Sequence, residues 1–388
     1  MFTIKQINRH VLSKYPAMYR AIGILPLDYV GGFGGSGEVD CSGYSLVLRG
    51  CLHWRIETRA GVFCLRRWGN GTPDKSRLQF IQAVLWQAAI EGIEFVPLPI
   101  ETLEHSGFVV FDGSYWELLP WMDGVEEPPP IRTAGFDDEV ASGFTATVEQ
   151  YDDTAIQPFR IVSAMMSLAQ FHLAVSTFPI DNSPVGRSAC INDMLAKWRG
   201  WVDGGFNELY RTIRGRWSAS ISELLINFAE TGLRFQNNAV IYSGQMLSDI
   251  GRSSRLLVQI QPTIGNCCLR HLRFDYDGVS GMIDFKSIGV DSVVVDVASL
   301  LGSMASPETE GWKLGLRAYQ RIRQLDDYEI FMLKSLYHSM ILIEGLDYLS
   351  DFFLKGKPIN EYQIDKITSR LEYWNLRMET ENRNRNSA

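Results

Sequence analysis

The residues best suited to chemistry collect in one stretch, 261–304, which contains five aspartates, Asp284, Asp291 and Asp296 among them, with His271 and the adjacent pair Cys267 and Cys268. Asp284 closes the pattern G-M-I-D-F directly after a strand-like piece. A carboxylate there suits a hard cation such as Mg2+, which takes charged oxygen ligands, and suits equally a capped surface turn. The six cysteines, at 41, 51, 64, 190, 267 and 268, form no C-x-x-C pair and have no histidine at metal-ligand spacing, so zinc and redox chemistry are not indicated. The adjacent pair reads as two buried thiols. A glycine run, GGFGGSG at 31–37, has the composition of a phosphate loop but precedes the first strand and lacks the Lys-Ser/Thr of a P-loop. It reads as linker.

The elements that must position these groups come in two kinds. Residues 44–68 alternate β-branched and aromatic side chains in two runs joined at 58–61, which predicts a hairpin. Residues 76–91 place Leu78, Ile81 and Leu85 at helical spacing behind Ser76 as N-cap, and a second hairpin turns at Asp112-Gly113-Ser114. The order β-β-α-β-β follows. Beyond residue 158 helical patterns dominate, among them 160–175 and 207–235, and three short strand-like pieces at 256–261, 271–275 and 279–283 interrupt them. His172, on an apolar helix face, reads as a packing histidine. Trp54, Trp86, Trp116 and Trp121 read as core and hinge packing.

Composition excludes several classes. With 46% apolar and 21% charged residues the 388-residue chain is an ordinary folded protein, long enough for two lobes. A net charge of -8 argues against non-specific nucleic-acid binding, which needs an excess of Lys and Arg. The N-terminus lacks the apolar core of a signal peptide, and no run reaches the roughly 18 apolar residues of a membrane span. A cytoplasmic protein that does not engage membranes is expected. Between Asp123 and Asp153 nine acidic residues accompany one basic residue, Arg132, beside three consecutive prolines. This segment reads as a solvated linker or insertion, with a partly ordered lid as the alternative. The expected organisation is an N-terminal extension and Gly-rich linker at 1–40, a sheet lobe with its helix at 41–121, the acidic segment at 122–155, a helical lobe at 156–376 and a flexible tail at 377–388.

Across roughly residues 40–350 this order resembles the superfamily of aminoglycoside phosphotransferases, choline kinases and homoserine kinases. The resemblance rests on HWRIET…CLRRW in 50–68, WELLPWMDG in 116–124 and GVSGMIDFKSIGVDSVVVDVASLLGS within 261–304. It implies an α+β, two-lobed protein-kinase-like fold, β-rich above and helical below. It implies transfer of the γ-phosphate of ATP or GTP to a small-molecule hydroxyl, with Asp284 on Mg2+. Asp296 resembles the aspartate that opens the next helix and braces the catalytic loop, and Asp291 could fill that place instead. The usual loop, H-G-D followed by four residues and N, aligns with Ile264-Gly265-Asn266 and His271. Asn266 thus stands where the catalytic aspartate is expected and cannot accept a proton. His271 stands at the metal-binding asparagine and, as imidazole, is a poorer ligand for Mg2+.

The upper lobe departs too. Arg66 takes the place of the phosphate-gripping strand lysine, and the helix glutamate that should pair with it is missing from 76–91, where Gln79 and Gln82 are nearest. Gly50, in Arg49-Gly50-Cys51, falls at the phosphate loop, and Glu117 and Leu119 fall at the adenine hinge, offering backbone groups. An inactive pseudokinase that binds nucleotide or a partner is the alternative function. The acidic run suits a cationic acceptor as well as it suits a solvated loop, and the acceptor and oligomeric state stay open.

Overall fold

The computed structural model describes residues 3–27, 51–69, 73–125, 156–180, 183–215, 222–305 and 309–386. Gly50, the glycine run 31–37 and most of the acidic segment lie outside the described residues.

The upper lobe is built on an antiparallel sheet of order β1-β2-β3-β5-β4, with β1 Gly23–Leu27, β2 Leu52–Thr58, β3 Gly61–Arg67, β4 Val109–Phe111 and β5 Ser114–Pro120. Strand alternation sorts its faces. Trp54, Leu65 and Leu118 stand opposite one another across β2, β3 and β5, and they form a small core with Ile7, Val11 and Leu12 from and beyond helix α1 (Ile4–His10). The next row, His53, Arg66 and Glu117, faces the other way. The sheet also takes in β1, which lies N-terminal to the expected lobe start at 41. Its pairing runs from Gly23 against Glu57 to Leu27 against His53. Both hairpins turn where expected, and Asp112 and Gly113 take the positive φ of 51° and 67° that a tight turn needs.

Helix α2 (Lys75–Ile90) is capped by Asp74, not Ser76: the Asp74 carboxylate accepts from the Arg77 N–H at 2.8 Å while Ser76 donates to it from the first turn. Leu78, Ile81, Val84 and Leu85 join the large core of the lower lobe, so α2 ties the lobes together. That lobe contains α3 (Pro158–Ala174), α4 (Ala189–Gly200), α5 (Phe206–Gly215), α6 (Glu223–Ser253), α7 (Val294–Met304), α8 (Glu310–Gln320), α9 (Asp327–Leu349) and α10 (Glu361–Asn386). The helical pattern read over 207–235 is two helices, since α5 ends at Gly215 and α6 starts at Glu223.

Among the described residues three two-stranded ribbons interrupt the helices. β6 (Val185–Gly186) pairs with β7 (Val258–Gln259), β8 (Gln261–Thr263) with β11 (Gly289–Asp291), and β9 (Leu272–Phe274) with β10 (Val279–Met282). The chain leaving β5 reaches them through Val125, which exchanges backbone hydrogen bonds of 2.8 and 2.9 Å with Phe274.

Candidate active site

Two ribbons bring the chemistry-bearing residues together. Register in the β9–β10 pair sets Leu272 against Met282, so His271 and Asp284 emerge side by side from adjacent strand ends, and the Ile283 N–H donates to the His271 carbonyl at 2.8 Å. The β8–β11 pair closes the second side, leading into Ile264-Gly265-Asn266 on one strand and away from Asp284 on the other. Gly265 has φ +80°, and a Cβ there would lie 2.5 Å from the Ser287 carbonyl oxygen. Only glycine lets these two loops touch.

Asp296, at the start of α7, holds the first loop. Its carboxylate accepts from the Ile264 N–H at 2.6 Å and the Gly265 N–H at 2.8 Å, and lies 3.0 Å from His172 Nε2. Burial lowers the His172 pKa against the pull of Asp296, and the neutral ring is satisfied on both sides, with Tyr319 Oη 2.8 Å from Nδ1. The choice left open by sequence is therefore decided: Asp296 braces the loop. Asp291 instead accepts from the Cys190 N–H at the start of α4, at 2.8 Å.

Asp284 itself sits in the left-handed region, φ 65° and ψ 59°, which aspartate tolerates better than most residues. Its side chain is 10% exposed. Burial pushes the carboxyl pKa up, but His271, Lys286, Arg66 and His53 together outweigh burial and hold it below the ordinary carboxylate value. His271 Nε2 lies 3.7 Å and Lys286 Nζ 3.4 Å from Asp284 Oδ2. The far side of the His271 ring, Nδ1, is 2.9 Å from the Asn266 carbonyl oxygen. A carbonyl only accepts, so Nδ1 carries a proton, and Nε2 is the ring nitrogen that faces Asp284. Asn266 is buried, and its Oδ1 has no hydrogen-bond partner among the described residues.

Arg66 was expected to lack a carboxylate partner, and the structure supplies one from a different element. Arg66 and Glu117 are direct neighbours across β3 and β5, and the guanidinium donates from Nε at 3.0 Å and Nη2 at 2.7 Å to Glu117 Oε2. The carboxylate also accepts from Trp68 Nε1–H and from Gln82 Nε2–H at 2.6 Å, the latter reaching over from α2. Arg66 is 5% exposed and lies 4.3 Å from the Trp68 ring centroid. With Glu117 fully buried and its carboxylate engaged three ways, the side chain is structural, and any contact with an adenine there is left to backbone. Leu119 is buried opposite Cys64. Arg67, on the other face, bonds Ser114 and Asp112.

Sequence reasoning missed His53, Gln82 in this role, and Lys286. His53 was marked by alternation with Trp54, which sets it in the same row as Arg66. Its pKa is lowered to about 4, first by burial and then by Arg66. Lys286 lies two residues beyond Asp284. Among the described residues no group of three or more His, Cys, Asp or Glu could hold a metal ion, so a cation at Asp284 would draw part of its shell from bound phosphate. The residues present fit a divalent cation of that kind: a buried carboxylate held ionised, an imidazole nitrogen 3.7 Å from it, and on the adjoining loop a buried amide oxygen without a hydrogen-bond partner among the described residues.

No family model matches the sequence, and no curated protein matches it. Solved structures do. A spectinomycin phosphotransferase, in complex with ADP and spectinomycin, superposes with a TM-score of 0.60 at 10% identity over 97% of this chain and 95% of that one. An aminoglycoside phosphotransferase from Alicyclobacillus acidocaldarius superposes at 0.51 and 13% identity, over 96% and 95%. The chain has the aminoglycoside phosphotransferase fold. At such identity the fold is what is shared, and the two-lobed kinase-like architecture expected from sequence is the one the chain adopts. Among the described residues no helix is long and apolar enough to cross a membrane.

Proposed function

We propose that the chain is a small-molecule phosphotransferase that binds ATP or GTP between its lobes and transfers the γ-phosphate to a hydroxyl acceptor, with a weakened catalytic loop. The observation that carries the reading is the convergence on Asp284. His53 and Arg66 from the sheet, and His271 and Lys286 from the ribbons, surround one buried carboxylate beside a loop pinned by Asp296. Arg66 and Lys286 bring positive charge to this carboxylate, which suits a polyphosphate. A divalent cation on Asp284, with His271 and Asn266 as further ligands, would neutralise charge on the transferring phosphoryl group. Arg66, fixed by Glu117, and Lys286 supply positive charge toward the phosphates. Asn266 could accept a hydrogen bond from the acceptor hydroxyl but cannot take its proton. Positioning and charge stabilisation dominate phosphoryl transfer, so turnover slows without being abolished. Spectinomycin, bound in one of the similar structures, is the first acceptor to try.

A nucleotide-binding pseudokinase is the second reading, favoured by the missing base at Asn266. Thermal-shift titration with ATP and a divalent cation tests both. Metal-dependent stabilisation of about 2.7 kcal/mol at a hundredfold excess over Kd is expected, and Asp284→Asn, which tolerates the left-handed backbone, should remove its metal dependence. No shift at millimolar nucleotide would sink both readings. Binding with no phosphate transfer or ATP hydrolysis in the wild type, and none gained in Asn266→Asp, would leave only the pseudokinase.

A further inference from the structure

Asp296 pins the loop at 264–266, and a run of buried hydrogen bonds continues from its far side to another corner of the lower lobe. The carboxylate that accepts from the Ile264 and Gly265 amides also lies 3.0 Å from His172 Nε2. A carboxylate only accepts, so Nε2 carries a proton. The other ring nitrogen, Nδ1, lies 2.8 Å from the hydroxyl of Tyr319, near the end of α8. Burial raises the Tyr319 pKa and lowers that of His172, so the hydroxyl keeps its proton and donates it to Nδ1 of a neutral ring. Arg323 hydrogen bonds the same hydroxyl. Its Nη2 donates to Glu329 Oε1 at 3.0 Å, and Glu329 closes the capping box of α9 with Asp326. His172, Asp296 and Tyr319 have no exposure to water.

Two ties therefore join His172 to the loop. Besides the bond through Asp296, Gln261 on β8, the strand that leads into 264–266, donates to the His172 carbonyl at 2.6 Å. Without the Tyr319 hydroxyl the imidazole would be held on one side only, and could tilt out of line with Asp296. We propose that Tyr319 is a positioning residue for the nucleotide site: its hydroxyl fixes the His172 ring against Asp296, and so the α8–α9 corner sets the loop that carries Asn266. This rests on the nucleotide-binding reading above.

Tyr319→Phe removes the hydroxyl and keeps the ring. Nitrogen NMR of the wild-type chain should show His172 protonated at Nε2, with Nδ1 shifted as a nitrogen that accepts a hydrogen bond. In the variant Nδ1 should move to the position of a bare lone pair. Amide exchange at Ile264 and Gly265 should quicken about fivefold or more relative to the interior of α6, because a buried acceptor loses its donor. Affinity for a non-hydrolysable ATP analogue with a divalent cation should fall by a similar factor. A tyrosine that only packed the core would quicken exchange equally in both places and leave the affinity unchanged, and that result overturns the inference. So does a wild-type spectrum with the His172 proton on Nδ1 alone, a readout that stands even if the variant fails to fold. A wild-type chain that binds no analogue sinks the nucleotide reading, and the inference with it.

Discussion

Glu117 accepts from Arg66, Gln82 and Trp68 with no exposure to water, so its charge and that of Arg66 depend on each other. Replacing Glu117 by Gln leaves a buried guanidinium without its counter-charge, and losing one partner of a buried pair typically costs about 3–5 kcal/mol. The expected outcome is a clear fall in denaturation midpoint with an unchanged m-value. Gln82→Glu in that background returns a carboxylate to the cluster from the helix side, and a double-mutant cycle should show favourable coupling. Additive losses would mean that α2 takes no part in placing Arg66. The sequence displayed the missing helix carboxylate correctly, but its substitute stands 51 residues from Arg66 and becomes visible only when β3 and β5 are paired.

At the level of elements, the loop at 264–266 owes its place to the first turn of α7. Asp296→Asn keeps the shape but can no longer accept two amide hydrogen bonds as a carboxylate and still face His172. Each buried amide left unsatisfied costs about 1–3 kcal/mol. Hydrogen exchange at Ile264 and Gly265 should quicken, and nucleotide binding should weaken although no nucleotide contact is removed. Gly265→Ala attacks the same junction sterically, through the positive φ and the Ser287 carbonyl. It should cost at least about 1 kcal/mol, since alanine there is strained as well as crowded. Unchanged stability would mean that the two loops separate freely. The strand-like pieces that carry these loops were legible from their β-branched residues and the Asp277-Gly278 turn. β11 was not, because three residues, Gly-Val-Asp, make no periodic signal until β8 offers them a partner.

Across the whole molecule, buried histidines tie stability to pH. His172 and His53 both have folded pKa values lowered from 6.5, His53 to about 4, and both are depressed first by burial. The unfolded chain therefore binds more protons below about pH 6.5, and stability is full above that value and falls as pH drops toward 4. The melting temperature should decline across this window. His172→Gln should lower stability at pH 7 yet flatten the decline, each proton being worth about 1.4 kcal/mol per pH unit. An equally steep decline in that variant would assign the acid sensitivity elsewhere.

The order of elements, both upper hairpins and the helical lower lobe were legible along the chain, because periodicity and turn chemistry are local properties. Tertiary structure decided who stands beside whom. It chose Asp296 over Asp291, gave Arg66 its partner and brought His53, His271 and Lys286 close enough to Asp284 to act on its charge. Those choices depend on strand register and burial, which join residues far apart in the chain and leave no periodic trace along it.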